Sequence, residues 1–149
     1  MSKTEEVKKK IVDRMVKAKE NFKNQKYGEF IIQTNNIQFY LLNLILLRSG
    51  FLDNDYKNYV ERATLGQLIF LFCACINKNT KEILLIPKLK EYQEKRNKLA
   101  HKMYTLKKLT MPECEQAIKD GEKLEKALDF LLKNELESRG KSITIKAKL

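Results

Sequence analysis

The chain has 149 residues, with 30 Lys and Arg against 19 Asp and Glu and a single His, which gives a formal net charge of +11. This length fits one domain. An apolar fraction of 43% is enough to build a hydrophobic core and excludes a disordered chain. With 5 Gly and 2 Pro there are few turns, which argues against an all-β sandwich or barrel and favours helices.

Two helices are expected in the first third of the chain. Apolar residues recur at helical spacing over residues 4–24, which predicts an amphipathic first helix. A second helix is predicted over residues 28–48. Its later half is apolar nearly all round, which indicates burial against several neighbours or at a subunit interface.

Shorter elements follow in the middle of the chain. A short helical piece is predicted over residues 56–62, and Thr64 is a plausible N-cap for a buried helix over residues 65–76. Residues 77–82 form the one clear polar loop. Pro87 suits the first turn of a fourth helix, because its missing N–H would have no partner there, and this helix is expected to reach about Tyr104.

The last helix has the strongest start signal in the chain. Residues 110–113 read Thr-Met-Pro-Glu, a capping box with Pro in the first turn, and the helix is expected to end near Ser138. We therefore predict an all-α, up-and-down bundle of four to five helices over residues 1–138. Residues 139–149 are expected to be a basic C-terminal tail, either mobile or paired in an oligomer.

Neither secretion nor a membrane span is expected. The amino terminus is charged where a signal peptide would be apolar. The apolar runs at residues 39–47 and 68–76 are each about half the roughly 20 residues of a span. Cys73, Cys75 and Cys114 form no CxxC pair, and one His cannot complete a convincing zinc site. We expect a cytoplasmic protein with reduced thiols, no metal, no cofactor and no membrane partner.

The positive charge favours a polyanionic partner such as nucleic acid. However, 25 of the 30 basic residues are Lys, and such a skew can also come from coding bias. The lysine faces can equally be solvated surface.

The fourth helix carries the residues most suited to chemistry. Projected at about 100° per residue, Arg96 falls within the arc of Leu89, Tyr92, Leu99 and Met103. A guanidinium on a core-facing stripe is costly unless it is paired or lines a cleft. Asn97 and the only His, His101, lie on an adjacent face with i,i+4 spacing, and their side chains can touch.

The run Arg96-Asn97-Lys98-Leu99-Ala100-His101 resembles the R-polar-x3-H signature of HEPN domains, helical ribonucleases found in toxin–antitoxin, CRISPR and antiviral systems. The expected bundle, with the motif on a late helix before one long closing helix, resembles these proteins from roughly the second helix to the last.

This resemblance implies a metal-independent endoribonuclease that acts as a homodimer with a composite site. His101 would act as general base or acid on the ribose 2′-hydroxyl and the leaving oxygen, Arg96 would hold the scissile phosphate, and Asn97 would fix His101 or the phosphate. The product would be a 2′,3′-cyclic phosphate. A toxin or defence effector of this kind would need an antitoxin or another regulatory protein.

Geometry gives a separate reason to expect a dimer. Five residues turn a helix by about 140°, so Arg96 and His101 of one chain diverge, and a two-fold axis would let two chains present both groups to one phosphate. Lys95, Lys98 and Lys102 surround the motif and would guide the RNA backbone. Tyr104 is either a substrate-binding or a packing residue.

One position departs from the family pattern. HEPN toxins paired with nucleotidyltransferase antitoxins carry a modified Tyr two residues after the His, whereas here the Tyr is the third residue, Tyr104. Regulation by nucleotidylation therefore does not carry over directly.

Two other interpretations of the motif remain open. Arg96 can pair with Glu91 or Glu94 across a subunit contact while His101 sits at the surface. The chain can also be a non-catalytic module of the same fold that binds RNA, nucleotide or a partner protein.

Overall fold

The computed structural model describes residues 2–50, 54–77, 81–100 and 109–140. The elements in these ranges are all helical, which confirms the all-α class. They are α1 (Lys3–Ser49), α2 (Asn54–Glu61), α3 (Leu65–Cys75), a 3₁₀ turn (Lys81–Leu84), α4 (Leu85–Ala100) and α5 (Met111–Ser138).

One end of the bundle is held together by Arg48, in the last turn of α1. Its guanidinium makes a two-pronged ion pair with Glu82, the second bond being 3.0 Å from Nη2 to Oε2. It also donates to the carbonyl of Cys75 at the end of α3 and lies 3.5 Å from Glu135 near the end of α5. Because α1, α3 and α5 end here while α4 begins here, the helices run up and down as predicted.

The opposite end is fixed by contacts from the middle of α1. The hydroxyl of Tyr27 donates to the carbonyl of Leu109 just before α5, at 3.1 Å. The Sγ of Cys114 lies 3.7 Å from the carbonyl oxygen of Lys26. Helices α1 and α5 are therefore parallel neighbours, and α4 runs antiparallel to both.

The core is built from the apolar faces of these helices. In the described parts of the chain nineteen hydrophobic residues are buried, and α1, α3, α4 and α5 all contribute to them. The largest that are fully enclosed include Phe30, Leu41 and Leu44 of α1 and Phe72 of α3. Cys114 is also buried, and Cys73 and Cys75 are half-buried free thiols.

The two helices predicted for the first third of the chain are one continuous helix. Residues 25–27, where the break was expected, are Gln-Lys-Tyr, which are compatible with a helix, and Gly28 is the weakest helix former nearby. A mid-helix Gly costs only about 1 kcal/mol, so it does not end a helix that is otherwise continuous. Helix α1 ends at Ser49 and is capped by Gly50, whose φ of 61° is left-handed.

Only the second half of α1 belongs to the bundle. Residues 2–25 are exposed without exception, whereas the buried residues of α1 begin at Phe30. We call residues 3–25 the arm and residues 26–49 the body of α1. The apolar residues that predicted an amphipathic first helix all lie on the arm and are exposed, and Met111 of α5 lines a groove with two of them, Ala18 and Phe22.

Helix starts follow the capping signals in the sequence. Thr64 caps α3 in a full capping box with Gln67. Thr110 caps α5 through a bond from the Glu113 amide, but the Glu113 carboxylate bonds the Thr110 hydroxyl rather than its backbone. Helix α5 ends at Ser138 as expected.

Some expectations lie outside the described residues, namely the end of the fourth helix at 101–104 and most of the tail, 141–149. Within the described residues, α1 is the one helix long and apolar enough to cross a membrane by length and composition. That window is 44% buried in the bundle, and core helices of globular proteins have the same composition.

Candidate functional site

Helix α4 carries the candidate motif and packs against α3 and α5. Its core-facing residues are buried as predicted, with Leu89 fully enclosed, Tyr92 2% exposed and Leu99 8% exposed. Three buried positions spread along the helix fix its rotation about its own axis. The placement of the motif residues on α4 follows from this rotation.

Arg96 lies between these buried residues and is itself only partly exposed. Its charge acts on Tyr92, one turn earlier, where it opposes the rise of the Tyr92 pKa. Among residues 2–50, 54–77, 81–100 and 109–140, no carboxylate forms an ion pair with the Arg96 guanidinium. Neither Glu91 nor Glu94 of the same chain pairs with it. A partly desolvated cation without a counter-ion is a favourable position for an anionic ligand.

Asn97 follows Arg96 and faces solvent. His101, Lys102 and Tyr104 lie outside the described residues. In the last turns of α4, Arg96 is therefore half-buried, whereas Asn97 points about 100° away from it into solvent.

Two of the lysines predicted to guide RNA are engaged by one carboxylate. Lys98 Nζ lies 3.2 Å and Lys95 Nζ 3.5 Å from Oε2 of Glu113, in the first turn of α5. The hydrogen bond from Lys98 lowers the pKa of Glu113, and the Thr110 hydroxyl acts in the same direction. These contacts join the end of α4 to the start of α5 and leave less positive charge for a phosphate backbone than the sequence indicated.

A buried polar cluster of Gln33, Thr34 and Tyr92 links α4 to α1 and α5. The Tyr92 hydroxyl lies 3.0 Å from Oε1 of Gln33, to which it donates, and 3.0 Å from the Thr34 hydroxyl. Gln33 in turn donates to the carbonyl of Ile118 on α5, at 2.8 Å. Burial raises the pKa of the Tyr92 phenol well above its ordinary value, which keeps it a neutral hydrogen-bonding group.

The cluster depends on a glycine in α5. A Cβ at Gly121 would overlap the Gln33 carboxamide. The sequence analysis missed this arrangement, although two signals for it are present. One is the polar pair Gln33-Thr34 within an apolar helix, and the other is a lone Gly in the middle of α5.

A cleft of about 200 Å³ opens between α4 and α5 beside Tyr92. Its walls carry charges of both signs, including Lys88, Lys95 and Glu91, and Arg96 does not line it. A larger cleft of about 540 Å³ lies at the other end of the bundle around Arg48. Neither cleft contains the described motif residues Arg96 and Asn97.

Comparison with known proteins gives no further indication of function. No family model matches the chain, and no curated protein or solved structure matches it either. Among the described residues there is also no group of three or more His, Cys, Asp or Glu side chains placed to hold a metal ion.

Proposed function

We propose that the chain is a metal-independent endoribonuclease of the HEPN type that acts as a homodimer. The observation that carries this proposal is the half-buried Arg96, which has no acidic partner within the described parts of the chain and stands five residues before the only His. A structural arginine at such a position is normally paired, because an unpaired buried charge is destabilising. An unpaired one suits a phosphate ligand.

The proposed reaction is an attack of the ribose 2′-oxygen on the adjacent phosphorus. His101 of one subunit takes the 2′-hydroxyl proton, and the bond from phosphorus to the 5′-oxygen breaks. The leaving 5′-oxygen receives a proton, from the His101 of the other subunit in a composite site. Arg96 stabilises the charge on the phosphoryl oxygens through its paired donors, and Asn97 orients His101 or the phosphate.

The substrate side of the proposal rests on charge. The net charge of +11 favours binding to a polyanion such as RNA, whose phosphates release counterions when Lys or Arg neutralises them. Because Lys95 and Lys98 are shared with Glu113, we assign them a secondary role in binding the RNA backbone. Lys102 and Tyr104 complete the proposed binding residues. We also propose that the ribonuclease acts as a toxin or defence effector and that a protein partner restrains its activity.

The test is RNA cleavage in EDTA by the wild type and by variants purified in the same way, with fragment ends analysed for 2′,3′-cyclic phosphate. Arg96→Ala and His101→Ala are expected to lower the rate by about 100-fold or more. Arg96→Lys should keep only part of the activity, because it retains the charge but not the paired donors. Arg62→Ala removes an exposed arginine just after α2 and is the control, expected within about twofold of wild type.

Two outcomes would contradict the proposal. Equal cleavage by Arg96→Ala and Arg62→Ala would remove Arg96 from the mechanism. A folded, dimeric wild type that cleaves none of a varied set of RNAs would contradict the proposed ribonuclease activity. If that protein still bound RNA or nucleotide through Arg96, it would be the non-catalytic module instead.

A further inference from the structure

The arm of α1 carries an exposed apolar stripe along its length. The stripe consists of Val7, Ile11, Met15, Ala18 and Phe22, and each of them is exposed. Met15 is 57% exposed and Phe22 47% exposed, values far above those of any core residue. From Ile11 onward the spacing is four, three and four residues, the spacing of a coiled-coil seam.

Among the described residues, the bundle borders this stripe at a groove lined by Ala18, Phe22 and Met111 of α5, and all five residues of the stripe stay exposed. At about 100° per residue, the stripe is centred about 90° away from the buried face of the body of α1. The arm also extends about 34 Å beyond Lys26, past the end of the bundle. A continuous apolar stripe on a projecting helix marks an interaction surface.

We propose that the arm pairs antiparallel with the arm of a second copy of this chain, about a two-fold axis near residues 14–15. Reversal about this point maps the stripe onto itself. Phe22 then lies level with Val7 of the second copy, and Ile11 lies level with the small Ala18. Met15 lies next to its own copy at the axis. The stripe is therefore complementary to itself, as a two-fold interface requires, and the large Ile11 meets the small Ala18.

Two further exposed apolar residues of the arm lie away from the stripe. Val12 and Val16 are 56% and 49% exposed, but they project about 100° and 140° from the centre of the stripe and lie outside the proposed contact. The contact therefore consists of five apolar side chains per chain and the lysine stems beside them. This is smaller than a standard interface, so we expect a dimer whose population depends on protein concentration.

The charges of the arm provide a signature for this pairing. Lys8, Arg14 and Lys19 flank the stripe, whereas Asp13 and Glu20 lie on the opposite face. Arm–arm pairing brings positive charges together, so salt should strengthen it by screening. An acidic helix or an anionic lipid surface bound to the same stripe would be released by salt.

The first experiment measures the mass of the full chain by sedimentation as a function of concentration and of salt. We expect a species of twice 17.6 kDa that persists or tightens between about 50 and 500 mM salt. Ile11→Glu and Met15→Glu should each weaken dimerisation by about 30-fold or more. Phe70→Glu, which changes an even more exposed apolar residue on α3, is the control and should not weaken dimerisation.

Cysteine cross-linking tests the direction of pairing. Met15→Cys should form an intermolecular disulfide on mild oxidation, and Val7→Cys alone should not, because two such residues would be about 22 Å apart. A mixture of Val7→Cys and Phe22→Cys chains should cross-link. The wild type controls for Cys73, Cys75 and Cys114.

Three results would overturn the proposal. One is a monomer at all salt concentrations, and another is a dimer broken by Phe70→Glu but not by Ile11→Glu. The third is binding of the stripe to anionic vesicles or to an acidic helical peptide with no self-association. Arm pairing holds the two bundles about 34 Å apart along the arms, so the composite ribonuclease site would need a separate contact between the bundles. A monomer at all salt concentrations would contradict both proposals, whereas the other two results would leave the ribonuclease to its own cleavage assay.

Discussion

The arm and the body of α1 belong to one helix and have similar apolar periodicity, yet they differ completely in environment. Phe22 in the arm is 47% exposed, and Phe30 two turns later is fully buried. The helical hydrogen bonds continue unbroken between them. The spacing of apolar residues therefore reveals the apolar face of a helix but does not reveal what covers that face.

Replacing one phenylalanine in each half of α1 should change the free energy of unfolding by very different amounts. Phe30→Ala should lower the free energy of unfolding by about 3–5 kcal/mol, because it leaves a cavity among packed side chains and the Tyr92 ring, 5.0 Å away. Phe22→Ala should change it by less than about 0.5 kcal/mol. Urea denaturation of the monomeric protein gives both values. A large loss for Phe22→Ala would show that the arm packs against its own bundle.

Two glycines, one packed against a side chain and one facing open space, should respond oppositely to substitution by alanine. Gly121→Ala pushes a methyl group into the Gln33 carboxamide, which its bonds to Ile118 and Tyr92 hold in place, and should cost about 1–3 kcal/mol. Gly28→Ala, where α1 enters the bundle, meets open space. It should stabilise the helix by about 0.5–1 kcal/mol. Thermal melts of the two variants should therefore shift in opposite directions, and shifts in the same direction would contradict this account of the glycines.

The third prediction concerns the polar cluster of Tyr92, Gln33 and Thr34. Tyr92→Phe leaves Gln33 and Thr34 without their shared hydroxyl and should cost about 1–2 kcal/mol at neutral pH. The pKa of Tyr92 is raised in the folded protein, so its contribution is complete below the unfolded pKa of about 10 and is lost as pH rises above it. The gap between wild type and Tyr92→Phe should narrow at alkaline pH. A gap that stays constant would show that Tyr92 ionises alike in both states.

Local signals in the sequence predicted much of the fold. Thr64 and Thr110 gave correct helix starts, because capping depends on a few adjacent residues. The break predicted before Gly28 was wrong, because a single Gly does not end a helix that its neighbours favour. Burial of the body and exposure of the arm depend on which helices pack against α1, and no local pattern contains that information.

For the candidate site too, the sequence predicted local features but not the contacts made by other helices. Helical projection correctly placed Arg96 on the core-facing arc of α4. It did not indicate that Glu113 would engage Lys95 and Lys98, because that carboxylate comes from the next helix. The roles of Arg96, Asn97 and His101 stay predictions for the cleavage assay.

A helix that is half packed and half projecting should have two very different local stabilities. Isolated helices of this length are marginal in water, so arm amides should exchange with deuterium quickly, whereas amides from Phe30 onward should open only with the bundle. The exchange profile of α1 should therefore show a step near Lys26. Any partner that covers the arm would move the step toward the amino terminus, so exchange along this one helix reports how far the cooperative unit of the protein extends.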